Sequence, residues 1–219
     1  MLTAEEELSD KIRAMALILA SASSRRQELL RNAGIAFTVQ PTNIPEVLGD
    51  SECPRVSAER LAREKALAIF RQQANAFVLG ADTIVIIDEQ ILGKPRDRDD
   101  AARMLRILSG RTHQVTTGVC LVGPQTRVGS GALASFEDVR SETTLVTMSP
   151  LTDDDIRSYI ATGEPMDKAG AYAIQGIASR WIPRIEGDYF NVVGLPVSLV
   201  YRMIREHAVL NETWVLTEE

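Results

Sequence analysis

Cysteine and histidine are scarce. With two of each in 219 residues, and with Cys53 and Cys120 far apart and in no Cys-x-x-Cys, the sequence argues against a disulfide framework and a histidine-rich zinc centre. The cysteines read as free thiols of a reducing cytoplasm. Long apolar runs are missing too. The N-terminal stretch MLTAEEELSDKIRAM is acidic, so it reads as neither a signal peptide nor a membrane span. There is no positive surplus: 24 Lys and Arg against 30 Asp and Glu give a net charge of −6. That excludes charge-driven docking on nucleic acid or an anionic membrane, but leaves room for a basic pocket. Repeats, low-complexity segments and flexible linkers are absent. So are a Walker A loop and a G-x-S-x-G elbow, and His113 has no identifiable serine partner.

What is present is an alternation of strand and helix signals. LILASASSRRQELLRNAGI (17–35) reads as a buried strand over 16–21 and a helix over 24–33 stopped by Gly34. The stretch 56–73 predicts a long helix with Ser57 as N-cap and Glu59 and Arg63 one turn apart. FVLGADTIVIIDEQILGKP (77–95) reads as strand, interruption, strand, turn and short strand. A capped helix to Gly110 follows, then two strands (113–123 and 135–148) joined by a Gly-rich turn. LTDDDIRSYIATG (151–163) carries a capping box, Thr152 with Asp155. A final helix begins near Pro196. Leu8, Ile12 and Met15 recur at helical spacing, which predicts a short amphipathic helix ahead of the core. The sum is a mixed α/β fold: an N-terminal extension (1–15), one domain (16–207) and a tail (208–219).

Three stretches carry chemistry. Cations are unfavourable at a helix start, yet Arg25 and Arg26 stand there. With Ser21, Ser23 and Ser24 they offer hydroxyls, backbone N–H groups and planar forks suited to phosphate; the bland reading is solvated arginines beside a serine cap. Asp82, flanked by apolar strand, could bind a metal or activate water, or merely fix a turn at the sheet's rim. Ile84, where a haloacid-dehalogenase-type phosphatase needs a second aspartate, excludes that class. Lys65 could be a surface residue, and Lys94 sits in a tight turn that could return its amine toward Asp82. GSGALA (129–134) matches a dinucleotide fingerprint by letter alone and reads better as a hairpin turn.

Taken together, LASASSRRQELL, the glutamate of TNIPE, LAREKA, LGADTIV, LGKPRD, LSGRTHQVTTGV, GEPMDKAGAYAIQG and IEGDYFNVVGLP resemble the Maf family of nucleoside triphosphate pyrophosphatases, in the family's order over residues 16–204. The stretch bearing Gln175 resembles the branch acting on dTTP and UTP, not the one preferring 7-methyl-GTP. The resemblance implies an elongated, two-lobed mixed sheet with flanking helices and a central cleft, related to inosine triphosphate pyrophosphatases. It implies the reaction NTP + H2O → NMP + diphosphate with a divalent cation, Mg²⁺ or in its place Mn²⁺. Asp82 corresponds to the catalytic base, and Arg25, Thr83 and Gln175 to positions linked to base selection. Ser21, Arg26, Lys65 and Lys94 correspond to phosphate contacts, and Glu46 with Asp82 to the metal carboxylates. Two positions depart from the family pattern: Ser24 where proline is usual, and Pro45 where an acidic residue often stands. A homodimer through the apolar stretch PVSLVYRMI (196–204) is compatible with the sequence, as is packing of that helix in the core. The competing classes are a nucleotide-sensing regulator of cell division, suggested by the family's older name of septum-formation inhibitor, and the same chemistry on purine or 7-methylated triphosphates.

Overall fold

The computed structural model describes residues 16–47, 52–125 and 134–210. The expected N-terminal helix, all but the first two residues of the expected Gly-rich turn (124–131) and the last nine residues lie outside them. In chain order the elements are β1 (Leu17–Leu19), α1 (Ser24–Asn32), β2 (Thr38–Val39), α2 (Pro54–Phe70), β3 (Phe77–Ile87), β4 (Gln90–Leu92) and α3 (Arg98–Leu108). Then come β5 (Thr112–Gln125), β6 (Ala134–Thr147), α4 (Asp153–Ala161), three short 3₁₀ turns between Glu164 and Trp181, β7 (Arg184–Glu186), α5 (Tyr189–Val193) and α6 (Val197–Leu210).

The seven strands among the described residues join one mixed sheet in the order β2-β1-β3-β5-β6-β7, with β4 added to β3. β1 runs parallel to β2 and β3; the remaining pairs are antiparallel. Side chains alternate across a strand, and β3 uses both faces. Leu79, Ala81, Val85 and Ile87 enter the main core with Leu29 and Leu30 of α1, Met104 and Leu105 of α3, Tyr159 of α4 and Met203 of α6. Val78 points to the opposite face, where it meets Ala62, Ala66 and Ile69 of α2. The α2 backbone lies almost on the sheet. A Cβ on Gly80 would come 2.1 Å from the Ala62 carbonyl oxygen, and one on Gly118 would come 2.4 Å from that of Ala58.

Several details differ from the sequence reading. β3 runs unbroken through Gly80 and Asp82 for 11 residues, because the glycine accommodates α2 and does not end the strand. α2 starts at Pro54 with Cys53 at its cap position; Ser57 lies inside the first turn and donates to Glu52 at 2.7 Å. Glu59 and Arg63 do not pair with each other: Arg63 reaches Glu137 at 2.6 Å and Glu59 accepts from Ser141 at 2.6 Å. Ala33 caps α1 and Gly34 follows it at φ +68°. The Thr152–Asp155 capping box is present as expected.

His113 lies in the main core, 2 % exposed, with its Nε2 2.8 Å from Tyr172 Oη. Burial pulls its pKa down from 6.5 to about 4. The unfolded chain therefore takes up this proton first. The stability tied to neutral His113 is complete above pH 6.5 and falls away toward pH 4, by about 3 kcal/mol in all. Urea unfolding at pH 7 and pH 4 checks this. His113→Gln, which still reaches Tyr172, should lose less stability between the two pH values than the wild type by about that amount.

Candidate functional site

On the side toward β1, β3 has partners among the described residues only at its ends. β1 pairs with residues 77–79 and β4 with residues 85–87, while β5 runs along the other side throughout. Residues 80–84 thus face a gap in the sheet, with Asp82 at its centre. The aspartate is interior to the central strand, not at the rim, yet the gap opens it to a cleft. A parallel strand ending beside a continuing one leaves such a crevice, and the turn into α1 starts there.

All ten residues singled out in the sequence line one cleft of ≈720 Å³: Ser21, Ser23, Arg25, Arg26, Glu46, Lys65, Asp82, Thr83, Lys94 and Gln175. The floor is a charged chain. Lys65 Nζ donates to Asp82 Oδ1 at 2.6 Å and to Glu46 Oε1 at 2.7 Å, and Lys94 Nζ donates to Glu46 Oε2 at 2.9 Å. Asp82 and Lys65 are buried. Asp82 Oδ2 has no protein partner among the described residues. Burial opposes ionisation of Glu46, but hydrogen bonds and charges from Lys65 and Lys94 together outweigh it and hold its pKa at about 2. Lys65 is no surface residue. The buried positions of α2, Ala58, Leu61, Ala62, Ala66 and Ile69, form a stripe at helical spacing, and Lys65 falls within it.

The two arginines separate. Arg26 is buried and ties three segments together: Nε to the Gly194 carbonyl at 2.8 Å, Nη1 to Ser21 Oγ at 3.1 Å and Nη2 to Thr83 Oγ1 at 3.0 Å. Three of its five N–H groups are thereby engaged, and the other two have no partner among the described residues. Burial lowers its pKa, with the charges of Asp82 and Glu46 opposing and that of Arg25 assisting. Thr83 faces the side of the sheet opposite Asp82 and also meets Thr117 Oγ1 at 2.9 Å. Ser23 is the N-cap of α1, its Oγ accepting from the Arg26 amide at 3.4 Å; Ser24 is simply the first helical residue, a position that tolerates proline equally well.

Arg25 reaches across the cleft to Asp167 Oδ2 at 3.4 Å, whose Oδ1 accepts from Lys168 Nζ at 2.5 Å. Neither Asp167 nor Lys168 stood out in the sequence, although both lie in the stretch that carries Gln175. Gln175 is exposed at the opposite wall, its amide without a partner among the described residues.

Among the described residues, five cations, Arg25, Arg26, Lys65, Lys94 and Lys168, line the cleft against three carboxylates, Glu46, Asp82 and Asp167. The local charge is therefore opposite in sign to that of the whole chain. As arranged, the carboxylates do not fit a resident divalent ion: a lysine ammonium bridges Asp82 and Glu46, and no group of three or more His, Cys, Asp or Glu among the described residues could hold one.

A carboxylate with one oxygen open among the described residues, in a cleft whose described lining has more cations than carboxylates, defines a site suited to a polyanion. The chain belongs to the Maf-like protein family, whose sequence model matches residues 16–207. It is 57% identical over 196 residues to a dTTP/UTP pyrophosphatase of Koribacter versatilis, covering 90% of this chain and 96% of that protein. Another protein of the same name, from Symbiobacterium thermophilum, is 49% identical over 87% of this chain and 93% of its own. A solved nucleoside-triphosphatase (dITP/XTP pyrophosphatase) from Mycobacterium abscessus shows 14% identity and a TM-score of 0.37, covering 90% of this chain and all of that one; that likeness is too distant to carry a conclusion. No helix among the described residues is long and apolar enough to cross a membrane.

Proposed function

We propose that this protein hydrolyses dTTP and UTP to the monophosphate and diphosphate. The carrying observation is Asp82, with Oδ1 fixed by Lys65 at 2.6 Å and Oδ2 without a partner among the described residues, at the floor of a cleft that five of their cations line. The relatives' shared activity supplies the substrate. Water enters beside Asp82 and attacks the α-phosphorus while its proton passes to Asp82 Oδ2; the α–β bridging bond breaks and diphosphate leaves with the electron pair. The open N–H groups of Arg26, with Lys94 and the hydroxyl of Ser21, hold the phosphate chain in line. The divalent cation is supplied with the substrate, as the metal complex of the triphosphate. The substrate is a free cytoplasmic nucleotide, and no nucleic acid or membrane takes part.

Gln175 carries both a donor and an acceptor, which suits the O4/N3–H edge shared by thymine and uracil. Cytosine reverses that order and is penalised. Gln175→Ala should narrow the preference for UTP over CTP about tenfold and slow UTP turnover less than that. The deciding experiment measures diphosphate release from a panel of dTTP, UTP, CTP, GTP and 7-methyl-GTP. Fastest turnover of dTTP and UTP is expected. A purine at the head of the panel would overturn the substrate, and no release from any member would overturn the enzyme.

A further inference from the structure

We propose that Lys65 is a built-in counter-cation that closes the Asp82–Glu46 carboxylate pair, so that the nucleotide-free protein holds no divalent ion there and removal of the lysine creates a cation site. Asp82 comes from the middle of β3 and Glu46 from the segment after β2. Two carboxylates delivered from separate segments to one point are the usual raw material of a Mg²⁺ or Mn²⁺ site. The point between them is taken: Lys65 Nζ lies 2.6 Å from one oxygen and 2.7 Å from the other. The remaining oxygen of Glu46 is engaged by Lys94. Asp82, Lys65, Glu46 and Lys94 thus alternate in sign and sum to zero, so no excess negative charge is left to attract a dication.

The lysine has nowhere to go. Its side chain is 9% exposed, and the helix that bears it is seated on the sheet at Gly80 and Gly118. Withdrawing the ammonium would strand a buried charge without its partners. Leaving it in place would set a dication against it at contact distance. Replacing the ammonium by a neutral group of similar shape removes both obstacles and leaves the two carboxylates facing each other across the vacated position. The consequence for the free protein is that Asp82 keeps its open oxygen for water and shares it with no resident metal.

The test contains no nucleotide, so it succeeds or fails independently of the substrate assignment. Binding of Mn²⁺ is followed by loss of the aquo-ion's electron paramagnetic resonance signal in wild type, Asp82→Asn, Lys65→Met and the double variant Lys65→Met/Asp82→Asn. Wild type and Asp82→Asn should bind Mn²⁺ equally weakly. Lys65→Met should gain one site about tenfold tighter, and the double variant should lose it. Circular dichroism checks folding, and Lys65→Gln replaces Lys65→Met if the latter does not fold. Should neither fold, the first two proteins decide alone: equal binding sustains the proposal. Mn²⁺ binding by wild type that Asp82→Asn abolishes overturns it, as does a folded Lys65 variant that binds no better than wild type.

Discussion

Asp82→Asn lowers the turnover of UTP about a thousandfold and leaves the fold in place. The substitution keeps the shape of the side chain, so the packing of β3 against α2 and β5 is untouched. Its amide oxygen can still accept from Lys65 Nζ, now 2.6 Å from Oδ1, and Glu46 continues to neutralise that ammonium. The stability cost of half-emptying a buried ion pair is therefore held to about 1–3 kcal/mol. Catalysis has no such substitute. A positioned base contributes roughly 10²–10⁴ in rate, and an amide nitrogen has no lone pair basic enough to take the proton. Diphosphate release under saturating UTP, set beside a thermal melt, measures the two effects separately. Turnover within about tenfold of wild type would remove Asp82 from the role of base.

Gly80→Ala, a single methyl group, should cost about 3 kcal/mol of stability and much of the activity with it. The added carbon would meet the Ala62 carbonyl oxygen at 2.1 Å and the Ala66 amide nitrogen at 2.8 Å. These are backbone atoms of a helix, so no rotamer change relieves the contact and α2 must lift as a body. Lys65 lies between those two alanines in sequence, and its ammonium lifts with them away from Asp82. Gly93→Ala is the matched control for stability, since a Cβ there meets nothing within 4 Å. Thermal unfolding of the two variants should differ by several degrees, with Gly93→Ala close to wild type. Equal melting temperatures would mean that α2 is not seated on the sheet as described.

Most of the architecture was readable because it follows from periodicity and caps. The capping box at Thr152, the Ser23-to-Arg26 turn and the paired long strands each have local signatures. The reading failed where a residue serves something distant. Gly80 and Asp82 look like a strand break because each lowers strand propensity. One is there for α2 and the other lies at the gap left by β1, and neither neighbour is visible along the chain. Lys65 was more legible than it looked: the intervals Ala58, Leu61, Ala62, Lys65, Ala66, Ile69 put it on the apolar stripe of its helix. That Glu46 would reach the same ammonium had no local signal; the family resemblance alone put it in the cleft, and there as a metal carboxylate and not as a lysine partner. The Gly194 partner of Arg26 is a backbone carbonyl, which leaves no side-chain trace to read.

That bond has a consequence in time. Arg26 and Gly194 are 168 residues apart, so at roughly 5–20 residues per second the ribosome takes about 8–34 s to deliver the second after the first. Until then the guanidinium stays in water, where burial costs it nothing, and the wall of the cleft that includes Gly194 does not yet exist. The cleft is thus finished near the end of synthesis, after the sheet that supports it. A chain released early, short of α5, would lack this wall of the pocket and also Leu199, Val200, Met203 and Ile204, which α6 brings to the main core against the sheet.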